Sequence, residues 1–422
     1  NLGDQYELFG RGMSFYTLQN QNIDYDNSIK GLSFNYIVSE NIEINSLIGK
    51  GDYYYRSNSS NRETDLQLNS SVLLGLVNYT HDRWGNFQFM NTNQQLLIDP
   101  ALTGILGNES EISKELDDRL GTDPLYAVLL FAKKGEIVDT VAINNQNLNW
   151  NFYLGPFDIY VDKAWVYYDK IFGDEVFGSR LYTAVYTDFM GTGITYEYKN
   201  YNTPYLIKTI SNLPIVYREG NSILASRNAH SFNSGNEIGH QIDFNKNLSN
   251  SLNVLGNFSL SYRHQKDEMA ELNIIDFLTM SESNNIYAYY PFRQMYLEMN
   301  GWVLSDRLYY KVGADYFSEL NFLNSGKNTY AFTVPSHWAW KLSNGSSVTT
   351  YLELQSKTEN FLNPLDFTIA NEKNYMNQYM SFSYNHFGKW TLTGFYDREA
   401  VSDKVRQWPG LDFSFYLNSV NQ

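Results

Sequence analysis

The chain of 422 residues has no cysteine, which removes disulfides, thiolate nucleophiles and zinc–thiolate centres together. Positive charge is also scarce. Lys and Arg number 31 against 46 Asp and Glu, a formal net charge of −15, and the isoelectric point is near 4.9. Phosphate backbones are bound by clustered Lys and Arg, so nucleic acid is excluded as a partner. No run approaches the roughly 18 consecutive apolar residues of a spanning helix, and with a mean hydropathy of −0.43 a helical membrane protein is excluded. The chain opens at Asn1 without Met or a basic-then-apolar leader, so a processed product or part of a longer one is expected.

Aromatic residues are plentiful. Trp 8, Tyr 35 and Phe 26 make up 16% of the chain, and a disordered segment is poor in these types. Low mean hydropathy does not exclude a membrane β-barrel, whose strands present apolar side chains only at every second position.

The dominant period is two. In 252–263, Leu252, Val254, Gly256, Phe258, Leu260 and Tyr262 share one face, against Asn253, Asn257, Ser259, Ser261 and Arg263. Ile238, His240, Ile242 and Phe244 alternate with Gly239, Gln241, Asp243 and Asn245. The same alternation recurs in Val348–Gln355 and Leu411–Asn418. Short turns at Asn247–Asn250, Ser305–Asp306, Ser343–Gly345 and Phe387–Lys389 alternate with longer polar links at 265–286, 322–328, 359–373 and 398–409. Alternating short and long connections belong to an up-and-down membrane barrel. The segments, the first of them at 10–19 and 29–38, predict an all-β transmembrane antiparallel barrel of about 18 strands, within roughly 16 to 22, as a single domain over 1–422.

Two stretches interrupt the meander. Within 94–147, Ser110–Leu120 reads as a short helix capped by Ser110, and Leu125–Ala132 with Glu136–Ile143 as a hairpin around Lys133–Gly135. The second, 202–235, is Asn-rich and carries Pro204 and Pro214. Links this long in a compact fold are commonly functional, so both are candidate plugs, constrictions or caps. Aromatics near strand ends, namely Tyr53, Tyr54, Tyr55, Tyr167, Tyr168, Tyr289, Tyr290, Trp338, Trp340 and Trp390, are expected to form girdles where lipid meets water.

Motifs with chemistry are weak. The six His show no close metal-ligand spacing, so no metal or other cofactor is expected. Asp24 and Asp26 in Asp24–Asn27 offer oxygens to Ca²⁺ but lack the glycine and terminal Glu of a calcium loop. Ser336–His337 and His230–Ser231 are the nearest approach to a barrel lipase pair, yet strand neighbours point to opposite faces. Asp117–Asp118 diverge on a helix and read as a solvated face. No catalytic residue is assigned and no enzyme is expected. A barrel enzyme would need a Ser/His or Asp/His pair meeting across neighbouring strands, which the linear order does not reveal. Charges on the polar faces are Glu43, Glu197, Lys199, Asp243, Arg263, Glu298, Lys311, Asp315 and Glu353. Both signs are present, which fits a water-filled lumen with cross-strand pairing better than a strongly selective pore.

Three stretches, Asn1–Tyr36, Leu154–Lys170 and Pro214–Asp243, resemble an uncharacterised family of outer-membrane β-barrels from Bacteroidota and related diderm bacteria. The resemblance implies an outer-membrane location, strands preceding Phe9–Gly12 beyond those carried here, and an insert at 94–147 longer than the family's. It carries over no catalytic residue. The expected function is porin-like passage of small polar solutes, since a barrel of this width is too wide for side chains alone to fill. The alternative is a non-conducting barrel that docks lipoproteins or other subunits of a larger envelope complex. The surrounding partners are then outer-membrane lipid and lipopolysaccharide.

Overall fold

The computed structural model describes residues 1–20, 25–55, 66–97, 140–171, 174–203, 211–220, 222–231, 235–249, 251–264, 289–321, 326–363, 368–401 and 404–415. Its strands are β1 (Leu2–Gln5), β2 (Leu8–Phe9), β3 (Phe15–Tyr16), β4 (Gln19–Asn20), β5 (Tyr25–Asp26), β6 (Ile29–Ser39), β7 (Ile42–Tyr55), β8 (Leu66–His81), β9 (Gly85–Leu97), β10 (Thr140–Leu154), β11 (Phe157–Ile171), β12 (Asp174–Phe189), β13 (Thr192–Asn202), β14 (Asn236–Ser249), β15 (Leu252–Tyr262), β16 (Phe292–Val303), β17 (Leu308–Asn321), β18 (Lys327–Lys341), β19 (Ser347–Leu362), β20 (Ile369–His386), β21 (Trp390–Val401) and β22 (Lys404–Phe415). One antiparallel up-and-down sheet of 18 strands takes in β1 and β6 to β22, with β6 to β22 neighbouring in chain order. This is the strand plan of a membrane β-barrel. The hairpins β2–β3 and β4–β5 stand apart from it.

On β16, β19 and β20 burial is inverted relative to a water-soluble protein. On β16, Phe292, Gln294, Tyr296 and Glu298 are buried, while Met295, Leu297 and Met299 are each nearly half exposed. The register with β17 carries this across: Met295, Leu297 and Met299 sit opposite Tyr316, Ala314 and Val312, and Tyr296 sits opposite Asp315. On β19, Glu353 and Gln355 are buried and Leu352 and Leu354 exposed; on β20, Asn377 and Ser381 are buried and Met376, Met380 and Phe382 exposed. Leu32, Phe34 and Tyr36 likewise stand out from β6. A sheet that buries carboxylates and presents row after row of Met, Leu and Phe is solvated by hydrocarbon on its apolar face.

Alternate connections are tight. They fall at 40–41, 82–84, 155–156, 190–191, 250–251, 304–307, 342–346 and 387–389, and the connections between them include the long 56–65, 98–139, 203–235 and 263–291. Met190–Gly191 and Phe387–Gly388 have positive φ at both central positions, 53° and 69°, and 51° and 69°, as a type I′ hairpin requires. Two expected long links shrink, because β19 runs on to Leu362 and β20 begins at Ile369, while β21 and β22 leave only 402–403 between them. Asp397, Glu399 and Arg406 resemble loop residues, yet all three pair within β21–β22, where a polar face accommodates charge.

The expected strand at 10–19 is not one. Gly10 and Gly12 take φ of 58° and 81°, which breaks the chain into β2 and β3, and the segment folds onto the sheet instead of joining it. The expected insert 94–147 begins and ends as strand, since β9 reaches Leu97 and β10 starts at Thr140. Its predicted helix and hairpin lie outside the described residues. The stretch 202–235 is irregular where described, with one 3₁₀ turn at Ala225–Arg227.

Two compact units can be distinguished: 1–185 with 197–215 and 232–238, and 186–196 with 216–231 and 239–422. In the first, Phe15 is buried among Ile29, Leu47, Val72, Leu74, Leu76 and Met90. In the second, Phe292, Phe317 and Ala331 pack with Tyr217. Both clusters join a strand face to a segment lying on it. Leu297→Arg, on the apolar face midway along β16, is expected to cost about 2–4 kcal/mol in a bilayer. Urea unfolding in lipid vesicles measures it, and an unchanged midpoint would contradict a lipid-facing position.

Candidate functional site

In each unit an irregular segment crosses the polar face of the strands and is fastened by charge. In the first unit it is the N-terminal run through Gly10–Phe15. The Arg11 guanidinium lies over the rings of Tyr160 and Tyr182, at 4.9 Å and 5.5 Å from their centroids. Tyr160 donates to Asp162 at 3.0 Å, Asn147 donates to the same carboxylate at 2.6 Å, and Tyr182 donates to Glu197. Gly10, at a φ of 58° that favours glycine, brings the backbone against the side chains of Asn149, Asp162 and Tyr160. Further along, Arg180 donates to the Met13 carbonyl at 2.7 Å. Lys199 pairs with Glu237 at 2.6 Å, and both are buried.

In the second unit the segment is 216–231. Arg218 stacks 3.7 Å over the Tyr296 ring. The Glu353 carboxylate accepts the backbone N–H groups of Ile223 and Leu224 at 3.0 Å and 2.7 Å, satisfying donors at the start of the 3₁₀ turn. Gln355 donates to the Leu224 carbonyl at 3.0 Å and to Thr333 at 2.9 Å, and accepts from Asn377 at 2.8 Å. Arg227 forms a two-pronged pair with Asp397, one contact being 3.1 Å, and stands 3.9 Å from Glu399. Burial works against its charge, but Asp397 and Glu399 outweigh it and hold the guanidinium pKa above its ordinary value. His230 and the Ser231 N–H both contact Glu319, at 2.7 Å and 2.6 Å.

All nine charges expected on polar faces can be located. Glu298 pairs with Lys311 at 3.0 Å and also accepts from Tyr296 and from Asn300 at 2.8 Å. Asp315 accepts from Gln294 at 2.9 Å, and Asp243 from Gln241 at 2.8 Å and Asn257 at 2.7 Å. Arg263 lies over Tyr290, and partly exposed Glu43 accepts from Asn35 and from Asn45. Lys199, Glu197 and Glu353 hold the partners named above. Asp162, Arg180, Glu237, Glu319 and Asp397 were missed. Each lies between one polar and one apolar neighbour, as Glu319 does between Ser318 and Leu320, so alternation alone did not single it out.

The aromatic expectation divides. Trp338 and Trp340 are exposed beside the turn at 342–346, and Trp390 stacks on His386 at 5.0 Å beside the turn at 387–389. Tyr167 is half-buried and packs on Phe177 at 4.9 Å. Tyr168 is fully buried, because consecutive strand residues point to opposite faces, so it belongs to no girdle. Tyr289 and Tyr290 lie off the strands and half-buried, with Tyr290 under Arg263. Tyr53, Tyr54 and Tyr55 end β7, and their side chains lie outside the described residues. Exposed Tyr153 and Phe189 flank tight turns, and exposed Trp84 and Phe387 lie within them.

Asp26 accepts from the Ser28 N–H at 2.8 Å and Tyr6 at 3.1 Å. Slight burial raises its pKa, but these hydrogen bonds outweigh that and hold the carboxyl below its ordinary value; Asp24 lies outside the described residues. Ser336 donates to the Leu352 carbonyl at 3.1 Å while His337 stacks on Tyr351 at 4.2 Å, so that dipeptide makes no pair. Among the described residues no group of three His, Asp or Glu could hold a metal ion.

No protein-family model matches the chain, and no curated protein does. Among solved structures it is similar to the ferric citrate transporter FecA in its unliganded form, at 11% identity and a TM-score of 0.37, covering 88% of this chain and 57% of that one. It is similar to the copper transporter OprC at 8% identity and a TM-score of 0.36, covering 92% and 72%. A bacterial polysaccharide outer membrane secretin matches at 9% identity and a TM-score of 0.30, covering 89% and 98%. The chain thus spans little more than half the length of the ferric citrate transporter. The fold assignment rests on the strand plan and the inverted faces.

Arg227→Met removes the fork to Asp397 and leaves a carboxylate without its cation. Residues 216–231 are then expected to be cleaved at least several-fold faster in limited proteolysis of the detergent-folded protein. Unchanged cleavage would mean the segment is held without this pair.

Proposed function

We propose that the chain is an outer-membrane β-barrel of a diderm bacterium, of the Bacteroidota-type family it resembles, giving porin-like passage to small polar solutes. The observation that carries this reading is the inverted burial: a face of Met, Leu and Phe turned outward and a face of paired Asp, Glu, Lys and Arg turned away from it. Lipid and lipopolysaccharide cover the first face, and water and solute meet the second. On this reading the segments around Arg11 and 216–231 narrow the passage, and their fastenings set its residual width. Charges of both signs on the polar face favour polar over apolar solutes and leave ion selectivity weak.

The test is single-channel recording of purified protein in a planar bilayer. Small, steady openings whose conductance rises with salt are expected, and Lys311→Glu, which replaces a cation beside Glu298, should shift the reversal potential toward cation preference. Glu353→Gln, which weakens the hold on Ile223 and Leu224, should enlarge the openings. A silent bilayer from folded, heat-modifiable protein would overturn passage and leave a docking barrel, to be pursued through the lipoproteins or envelope subunits that co-purify.

A further inference from the structure

Three side chains from separate parts of the second unit meet in one hydrogen-bonded row. His230, on the irregular segment, has Nδ1 2.7 Å from Glu319 Oε1 on β17, and its Nε2 lies 3.1 Å from Ser261 Oγ near the end of β15. A carboxylate oxygen accepts hydrogen bonds, so Glu319 accepts the bond from His230 Nδ1–H. Nε2 is left with its lone pair, and Ser261 donates to it. The tautomer that makes imidazole a base toward serine is therefore the one the geometry selects.

The surroundings hold this arrangement. The Ser231 N–H donates to the same Glu319 oxygen at 2.6 Å. The His230 ring stacks on Phe292 at 3.9 Å with planes 19° apart, and meets Tyr217 edge-on at 5.0 Å. Ser261 is 1% exposed, and the His230 and Glu319 side chains are 5% and 8% exposed. Fastening the segment needs only Glu319, which already engages both the ring and the backbone of Ser231. The Nε2 contact to a hydroxyl adds the third member of a nucleophile, base and orienting acid. A cavity of about 190 Å³ adjoins the base, lined by His230, Phe292, Phe317, Tyr217, Gln294 and Arg218. Phe292 is also the register partner of Ser261, so the cavity wall and the serine are neighbours across one strand pair. Phe292, Phe317 and Tyr217 give the space an apolar side and Arg218, Glu219 and Asn228 a polar one, which suits the short acyl group of a small ester.

We propose that Ser261, His230 and Glu319 form a hydrolytic triad acting on carboxylic esters with a small apolar acyl group. Ser261 Oγ bonds to the acyl carbon as its proton passes to His230 Nε2. The ester C–O bond breaks, the alcohol departs with that proton, and the acyl group stays on Ser261. Water then attacks the acyl carbon and gives a proton to Nε2, and that proton returns to Oγ as the carboxylic acid leaves. Glu319 keeps its hydrogen bond to Nδ1–H throughout and positions the ring. This activity is independent of whether the barrel conducts.

The test uses full-length, detergent-folded protein, with folding checked by heat modifiability, treated with a fluorescent fluorophosphonate and separately with p-nitrophenyl acetate. A single adduct mapped to Ser261 by peptide mass spectrometry is expected, lost in Ser261→Ala and kept in Ser259→Ala. Ester hydrolysis should fall by about 10²-fold or more in Ser261→Ala and His230→Gln. Glu319→Gln should lower the rate and shift the pH at which it is half-maximal, which loss of a mere fastening would not do. Folded wild-type protein with no adduct at Ser261, and with ester hydrolysis equal to that of Ser261→Ala, would overturn the proposal.

Discussion

A β-sheet in a bilayer has no water to satisfy its backbone, so each strand N–H and C=O has to be met by a neighbouring strand. This constraint governs the rest of the structure. It demands long strands in unbroken antiparallel succession, which is what β6 to β22 supply in chain order. With the backbone satisfied internally, solvation falls to the side chains alone, and the two-residue period divides them cleanly. Met295, Leu297 and Met299 meet hydrocarbon while Gln294, Tyr296 and Glu298, one step away, do not.

The polar face then has its own problem, because a charge held away from bulk water is costly unless paired and hydrogen-bonded. The protein answers with local partners. Glu298 gathers Lys311, Tyr296 and Asn300, and Lys199 meets Glu237. It also answers with distant ones, drawing the chain between β13 and β14 across the strands so that Glu353, Asp397 and Glu319 find backbone N–H groups, a guanidinium and an imidazole. In each unit the irregular segment and the polar face it crosses therefore form one electrostatic system. The same carboxylates that line the polar face hold the chain that crosses it.

This coupling also explains where chemistry can arise. His230 reaches Glu319 and Ser261 only because the segment carrying it is drawn onto the sheet. Its sequence neighbour Ser231 meets Glu319 through its backbone N–H. A serine 31 positions away in the chain takes the place that adjacency had suggested for Ser231.

The architecture was legible from the residues themselves. Period-two alternation, tight turns at every second connection and low mean hydropathy define the strands and their up-and-down order, because a membrane strand must repeat one local rule along its whole length. Local rules failed where charge or glycine misled them. The 398–409 stretch looks like a loop only if charge is assumed to seek water, and 10–19 looks like a strand only if Gly10 and Gly12 are ignored. Tyr168, adjacent to Tyr167, was bound to face the other way. The partners of Glu353, Arg227 and His230 were not legible at all. They are separated by 31 to 170 positions, no period links them, and their meeting follows from how an irregular segment settles on the sheet. The sequence by itself determined the strands and their up-and-down order, since both are short-range consequences of alternation and turn spacing. Only the tertiary structure decided what crosses the polar face and which side chains meet there, since those contacts depend on long-range packing and pairing of charge.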